Sequence, residues 1–195
     1  MCRMDKKTLR KQMIERRNCL DEDFVIKSGE KIFGKIISSN ILNFNKFLLY
    51  SSFGNEVPTN RLIQFLLSEG RRVFLPKCDT DKLTFEAVEI IANQTQYQLN
   101  KYGIIEPAGN DNSIKSNKIE CAIIPGVAFD TRCNRIGFGA GYYDKFLNNN
   151  KNIYKIGICY DFQVVDLIDS ELYDIGMDMV ITEKNTYYKE ITSDR

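Results

Sequence analysis

The chain has 195 residues, 43% of them apolar, with 27 basic against 26 acidic side chains and neither histidine nor tryptophan. Without histidine there is no Ser-His-Asp or Cys-His machinery, no imidazole-ligated metal and no imidazole proton shuttle, so chemistry falls to carboxylates, Lys, Arg, Tyr, Cys, backbone amides or a bound cation. A net charge of +1 gives no global attraction for nucleic acid or an anionic membrane, and the length suits one compact domain over residues 1–195.

Residues 5–20 set Leu9, Met13 and Leu20 among Lys6, Lys7, Arg10, Lys11, Arg16 and Arg17, the pattern of a basic amphipathic helix. A second helix is predicted from the acidic start Asp21-Glu22-Asp23 through Phe33, Ile36 and Ile37, fading near Ser39-Asn40. Lys46 to Ser51 reads as a short strand buried on both faces. Pro58 opens and Gly70 closes a third helix, and Arg72 to Pro76 is the next buried strand. Leu83 to Val88 alternates and fits an antiparallel or edge element, whereas the polar stretch Asn93 to Asn117 reads as a long surface connection. Cys121 to Ile124, Lys155 to Cys159 and Met179 to Thr182 are further core strands, and Tyr142-Tyr143 lead into a helix through Leu147. The strand–helix–strand rhythm predicts an α/β fold: a three-layer, Rossmann-like open sheet, mostly parallel but mixed, with helices on both faces.

The longest apolar stretch, Cys121 to Phe129, is interrupted by Pro125-Gly126 and falls far short of the ~20 residues that a spanning helix needs. The start, Met1 to Lys7, carries charges with no apolar run behind them, so a cytoplasmic protein is expected. The six cysteines, Cys2, Cys19, Cys78, Cys121, Cys133 and Cys159, form no Cys-x-x-Cys pair and are expected to be reduced, mostly buried and inert.

The most informative segment runs from Pro125-Gly-Val-Ala-Phe-Asp130 through Arg135-Ile-Gly-Phe-Gly-Ala-Gly-Tyr-Tyr-Asp144. Gly137, Gly139 and Gly141 let the backbone approach a ligand, and successive amides before a helix suit an anion such as phosphate. The dinucleotide fingerprint would need glycine where Tyr142 stands, and no Gly-Lys-Ser/Thr ending marks a P-loop. By spacing alone such a turn is more often structural; Arg135 before it, with two tyrosines and Asp144 behind, shifts the balance. Asp144 reads either as a first-turn acid or as a hard-oxygen ligand for Mg²⁺. Asp178 is the obvious second carboxylate and Asp174 a weaker one, although solvated loop acids would look the same. Glu56, beside Phe53, follows the strand ending at Ser51, where α/β sheets collect ligands, but an ordinary polar loop fits it too. Lys6 and Arg10, one turn apart, are either a solvated basic face or a phosphate clamp.

Jointly these segments resemble the 5-formyltetrahydrofolate cyclo-ligase family, also called 5,10-methenyltetrahydrofolate synthetases. The resemblance runs through Lys6-Lys-Thr-Leu-Arg10, Tyr50 to Val57, Leu75-Pro-Lys77, Tyr102-Gly-Ile-Ile-Glu-Pro107, the Pro125 to Asp144 block, Tyr160-Asp-Phe-Gln163 and Met177-Asp178. It implies an ATP- and Mg²⁺-dependent ligase that closes 5-formyltetrahydrofolate to 5,10-methenyltetrahydrofolate, with small-molecule substrates, no nucleic-acid or membrane partner and a monomeric state. Carried over by residue, Lys6, Lys7, Thr8, Leu9 and Arg10, with Arg135, Ile136, Gly137, Phe138, Gly139, Ala140, Gly141, Tyr142 and Tyr143, would contact ATP. Asp144 and Asp178 would hold Mg²⁺. Ser51 and Glu56, with Phe138, Gly139, Ala140, Gly141 and Tyr142, would bind the folate, and Arg135, Tyr142 and Asp144 would act in catalysis. Two positions depart from the family: Tyr173 stands where a histidine is common, and Ala140 where Lys or Gly is common. Activity is expected to survive both, with altered ATP affinity.

Two rival readings remain at this level. A sugar-phosphate isomerase or CoA-transferase of similar fold would lack strict dependence on ATP and Mg²⁺. A non-catalytic folate- or nucleotide-binding relative would have no need of a metal pair.

Overall fold

The computed structural model describes residues 5–109, 113–114, 118–169, 171 and 174–190. In chain order the elements are α1 (Lys6–Asn18), α2 (Glu22–Ile37), β1 (Lys46–Leu48), α3 (Asn60–Ser68), β2 (Arg72–Asp79), β3 (Thr84–Ile90), β4 (Tyr97–Leu99), β5 (Ile105–Pro107) and β6 (Ser113–Ile114). There follow β7 (Cys121–Pro125), β8 (Ala128–Asp130), β9 (Arg135–Ile136), α4 (Tyr142–Asn148), β10 (Tyr154–Ile158), β11 (Val164–Val165), β12 (Met179–Ile181) and β13 (Thr186–Tyr188).

The helix starts are set by local chemistry. Asp5 accepts from the Lys7 and Thr8 amides to cap α1, and Asp21 accepts from Phe24 to cap α2, whose first turn carries Glu22 and Asp23 toward the positive end of the dipole. The chain leaves α3 through Gly70 at φ 69°, a left-handed exit that stops the helix.

The main sheet has eight strands in the order β13-β12-β10-β7-β1-β2-β3-β6. Its centre, β12-β10-β7-β1-β2, is parallel, and β13, β3 and β6 pair antiparallel at the flanks. Strand alternation divides the core. Phe47, Val73, Ile123, Ile156 and Met179 face Ile32 and Ile36 of α2 and Leu62 and Leu66 of α3. Leu48, Phe74, Ala122, Ile124 and Val180 face Phe146 and Leu147 of α4. Each of these side chains larger than alanine contributes about 1.5–3 kcal/mol when withdrawn from water, which is why the central strands read as continuous apolar runs. On the α4 side of β10 the chain has Gly157 because the Phe129 ring fills the space a Cβ would take; that ring also lies 2.5 Å from the Cβ position of Gly126.

The mostly parallel, mixed sheet with helices on both faces agrees with the sequence reading, and two local expectations need correction. Residues 93–117 are not a plain surface connection: β4 and β5 form an antiparallel hairpin, and β6 adds to the sheet outside β3, which is antiparallel as the alternation of Leu83 to Val88 allowed. The hairpin is held down by Glu106, 4% exposed, whose carboxylate accepts from Gln98, Asn100 and the Cys78 amide. The second strand also runs on to Asp79, past Pro76. Cys121, Cys133 and Cys159 are buried, Cys78 half-buried and Cys19 exposed, all unpaired; Cys2 lies outside the described residues.

Candidate active site

The parallel strand order places a switch point between β1 and β7: the chain goes outward from β1 to β2, and the other way from β7 to β10 and β12. The crevice beyond the carboxyl ends of such a pair is where open α/β sheets bind ligands. The segments leaving those two ends are the loop carrying Ser51 and Glu56, and the run through β8 and β9 into the glycine loop. A small sheet, β11-β8-β9, supports the second, and α1 lies across it with Leu9 packed on Val127, Ala128, Ile136 and Ile168.

Helical spacing puts Lys6, Arg10 and Arg17 on one face of α1, with Lys6 and Arg17 roughly 16 Å apart along the axis. Arg10 Nε donates to the Gly137 carbonyl oxygen at 2.8 Å. Its Cζ lies 3.6 Å from the place a Cβ would occupy on Gly139, an ordinary contact distance, so it is the backbone, at φ 107°, that requires glycine there. Lys6 Nζ donates to Asp174 Oδ2 at 2.6 Å and to Glu171 Oε1 at 2.8 Å. Partial burial works to lower the Lys6 pKa, but the hydrogen bonds to Asp174 and Glu171 outweigh it and raise the value. Burial likewise opposes ionisation of Asp174, and the Lys6 bond overcomes it, leaving that carboxyl below the usual range. Lys7 and Thr8 are exposed on the other side of the helix.

Arg135 curls over Gly137 and joins the glycine loop to α4. Its Nη2 donates to Asp144 Oδ1 at 2.7 Å, its Nη1 to the Pro125 carbonyl at 3.4 Å, and its Cζ lies 5.8 Å from the Tyr143 ring centroid. Phe138 and Ala140 are exposed at the loop tip, whereas Ile136 is buried beneath α1. Helix α4 has only seven residues and begins after Gly141 without a side-chain cap, so an anion held here would rely on Arg10, Lys6, Arg135 and loop amides more than on that helix. The Tyr142 hydroxyl is shut off from solvent without a hydrogen bond of good geometry; burial first, then neighbouring Tyr102, pushes its pKa up to about 12.

The other end of the crevice is built round Glu56, 9% exposed. Its Oε2 accepts from the Phe53 amide at 3.1 Å and its Oε1 lies 3.5 Å from Arg17 Nη1. Burial raises the Glu56 pKa, and Arg17 and the Phe53 bond act against that rise. The Tyr160 hydroxyl donates to the Glu56 carbonyl at 3.2 Å and the Tyr50 hydroxyl to that of Val57 at 2.8 Å, fixing the loop from below. Asn55 Nδ2 reaches the carbonyls of Arg17, Asn18 and Leu20, tying the loop to the end of α1. Ser51 is half-buried, and Phe53 is exposed with the β4–β5 hairpin tip against it at Gly103.

The structure thus brings together Lys6, Arg10, Arg135, the glycine loop, Asp144 and Glu56, but not Asp178. That carboxylate sits just before β12, at the amino end of the parallel strands, where it accepts from the Lys155 amide at 2.7 Å and pairs with Lys155 Nζ at 2.8 Å. Asp174 is better placed, because the amide of Ile175, the next residue, points to Asp144 Oδ1 at 3.5 Å. Among the described residues no group of three or more His, Cys, Asp or Glu is placed to hold a metal. Two carboxylates, Asp144 and Asp174, on the segments packed round the glycine loop nonetheless match the donor set of Mg²⁺, which takes one or two carboxylates and completes its shell with water and phosphate oxygens. Tyr173 lies outside the described residues.

Sequence reasoning gives no individual role to Arg17, Asn55 or Gln163. The first was signalled by its spacing of seven from Arg10, which returns it to the same helix face. Gln163 accepts from the Tyr160 amide and donates to the carbonyls of Gly126 and Val127, bracing the exit from β7.

The family model of the 5-formyltetrahydrofolate cyclo-ligases matches residues 3–183. A 5-formyltetrahydrofolate cyclo-ligase of Haemophilus influenzae is 34% identical over 132 residues, covering 66% of this chain and 71% of that one. One from Mycoplasma pneumoniae is 29% identical over 185 residues, covering 93% and 100%. The solved structure of the Aquifex aeolicus 5,10-methenyltetrahydrofolate synthetase superposes with a TM-score of 0.86 at 28% identity, covering 98% of this chain and 96% of its own. No helix among the described residues is long and apolar enough to cross a membrane. Matched nearly end to end in sequence and in fold, the chain belongs to the 5-formyltetrahydrofolate cyclo-ligase family and is a ligase.

Proposed function

We propose that this ligase closes 5-formyltetrahydrofolate to 5,10-methenyltetrahydrofolate, consuming ATP with Mg²⁺ and releasing ADP and phosphate. The observation that carries this reading is the face of α1, which sets Arg10 against the glycine loop and Arg17 against Glu56, so a cationic phosphate end and a buried carboxylate end share one helix. ATP lies along Lys6–Arg10 and residues 135–143; the folate ring meets Glu56 and Ser51, with residues 138–142 between the two substrates.

A formamide oxygen leaves poorly, so it first attacks the γ-phosphorus of ATP; an O–P bond forms, the bond to the β-phosphate oxygen breaks, and ADP departs. N10 of the folate then attacks the activated formyl carbon, the C–O bond to phosphate breaks, and N10 gives up its proton. Such transfers rest on positioning and charge stabilisation more than on a protein nucleophile, which is why a chain without histidine suffices. Lys6, Arg10 and Arg135 balance phosphate charge and the loop amides orient it. Asp144 and Asp174 would hold Mg²⁺, which when bound neutralises phosphate charge. For that task Lys6 and Arg135 must transfer part of their pairing from the carboxylates to the phosphates.

The test mixes protein, ATP, Mg²⁺ and 5-formyltetrahydrofolate and follows the near-ultraviolet absorbance of the methenyl product. Product that requires both ATP and Mg²⁺ is expected. Folded protein without turnover, or turnover without ATP, would overturn the reading.

A further inference from the structure

Arg17 is 7% exposed, yet among the described residues its guanidinium has one polar partner, the Glu56 carboxylate, at 3.5 Å. Its Nε is buried with no acceptor, and its Cζ lies 5.2 Å from the ring centroid of Phe138 at the glycine-loop tip. A buried pair recovers its desolvation cost only when geometry is good and the remaining donors are satisfied. This pair is long and leaves a donor unused, so fold stability alone does not account for it. What it does supply is a carboxylate kept next to a fixed positive charge, at the mouth of the crevice between Phe53 and Phe138.

Resting on the folate reading above, we propose that Arg17 is a positioning residue for the folate ring, holding the Glu56 carboxylate as a charged double acceptor for the adjacent 2-amino and N3 hydrogens of the pterin. A 2-amino-4-oxo ring presents two neighbouring N–H donors on one edge, which an ionised carboxylate accepts as a pair; a protonated carboxyl accepts only one and offers a donor to the other. The groups facing Glu56 are Arg17 from α1, Tyr50 at the end of β1, Tyr143 of α4 and Tyr160 after β10. Burial pushes all three tyrosines up, so they stay neutral and Arg17 is the one charge facing the carboxylate among them. Without it, only the Phe53 amide opposes burial at Glu56 and the carboxyl takes up a proton closer to neutrality.

The experiment is steady-state kinetics of Arg17→Met, Arg17→Lys and Glu56→Gln at pH 6 and pH 8.5, with melting curves for each. For Arg17→Met the KM for 5-formyltetrahydrofolate should rise about tenfold or more at pH 6, with the excess over wild type shrinking to about twofold at pH 8.5 and kcat at saturating folate held. Arg17→Lys should restore the pH profile. Glu56→Gln should raise KM at both pH values, and adding Arg17→Met to it should change KM no further, because the second residue acts through the first. The double variant also removes both buried charges, so it remains a usable test if Arg17→Met alone does not fold. A KM increase in Arg17→Met that is equal at both pH values, or that persists undiminished on the Glu56→Gln background, overturns the role of Arg17. Glu56→Gln with an unchanged folate KM overturns the folate assignment itself.

Discussion

Arg135 Nη2 donates to Asp144 Oδ1 at 2.7 Å, joining the strand that enters the glycine loop to the first turn of the helix that leaves it. The two sides are unequal, with the Arg135 side chain 3% exposed and that of Asp144 30% exposed. Asp144→Asn therefore strands a buried cation as well as removing a carboxylate from the phosphate end. ATP-dependent turnover should fall by about 10²-fold, and stability by about 1–3 kcal/mol. Kinetics and thermal unfolding on the same preparation check both; an unchanged melting point would mean that Arg135 finds another acceptor.

Asp174 and Asp178 should separate cleanly. Asp174→Asn is expected to weaken the Mg²⁺ dependence of turnover by about tenfold or more, since Asp174 pairs with Lys6 and the residue after it turns its amide toward Asp144. Asp178→Asn removes the charge facing Lys155 Nζ, whose side chain is 12% exposed, and weakens an acceptor of the Lys155 amide. It should lower the melting point and leave kinetic constants at wild-type levels. A Mg²⁺ titration of both variants decides, and reversed phenotypes would restore Asp178 to the metal.

The Lys6–Asp174 pair predicts a particular pH dependence of stability. Asp174 has a lowered pKa, so its contribution is complete above the ordinary carboxylate range and is lost as pH falls through the lowered value. Lys6 has a raised pKa, so its contribution is complete below the ordinary ammonium range and is lost as pH rises through the raised value. Lys6→Met should therefore lower stability by a constant amount between about pH 5 and pH 9, with the gap closing at the extremes. Partial exposure limits that amount to about 1 kcal/mol. Urea denaturation across pH measures it, and a gap that varies with pH inside this window would contradict the pairing.

Gly157→Ala should be among the most damaging single changes on the α4 side of the sheet, because Phe129 occupies the space of the new methyl group. An overpacked core site of this kind costs about 1–3 kcal/mol. Phe129→Leu should recover part of the loss when combined with it. A double variant no more stable than Gly157→Ala alone would show that the ring is not the obstacle.

The parallel core was legible because β1, β7, β10 and β12 are buried on both faces, so their apolar runs need no knowledge of neighbours. The glycine loop with Arg135 and Asp144 was legible for a similarly local reason. The β4–β5 hairpin was not. Its polar composition looks like a loop until Glu106 is seen to meet Cys78, 28 residues away. Asp178 was misjudged because spacing to a strand does not say which end of the sheet a residue occupies. A position immediately before a parallel strand lies at the amino end, opposite the crevice. Arg17 was overlooked among many cations in α1, since only the fold reveals which of them is buried.

Helix α1, 13 residues long, is fastened near one end by Arg10 on Gly137 and at the other by Asn55 on the Arg17, Asn18 and Leu20 carbonyls. A helix held in this way cannot tilt at one end without disturbing the other. If ATP and the folate bind as proposed, a nucleotide that tightens the first contact would alter the fit of a folate at the second, and equilibrium linkage would make the effect mutual and equal in size. On that proposal, whatever factor ATP adds to folate affinity, folate adds to ATP affinity, so the ternary complex would be equally stable whichever substrate arrives first.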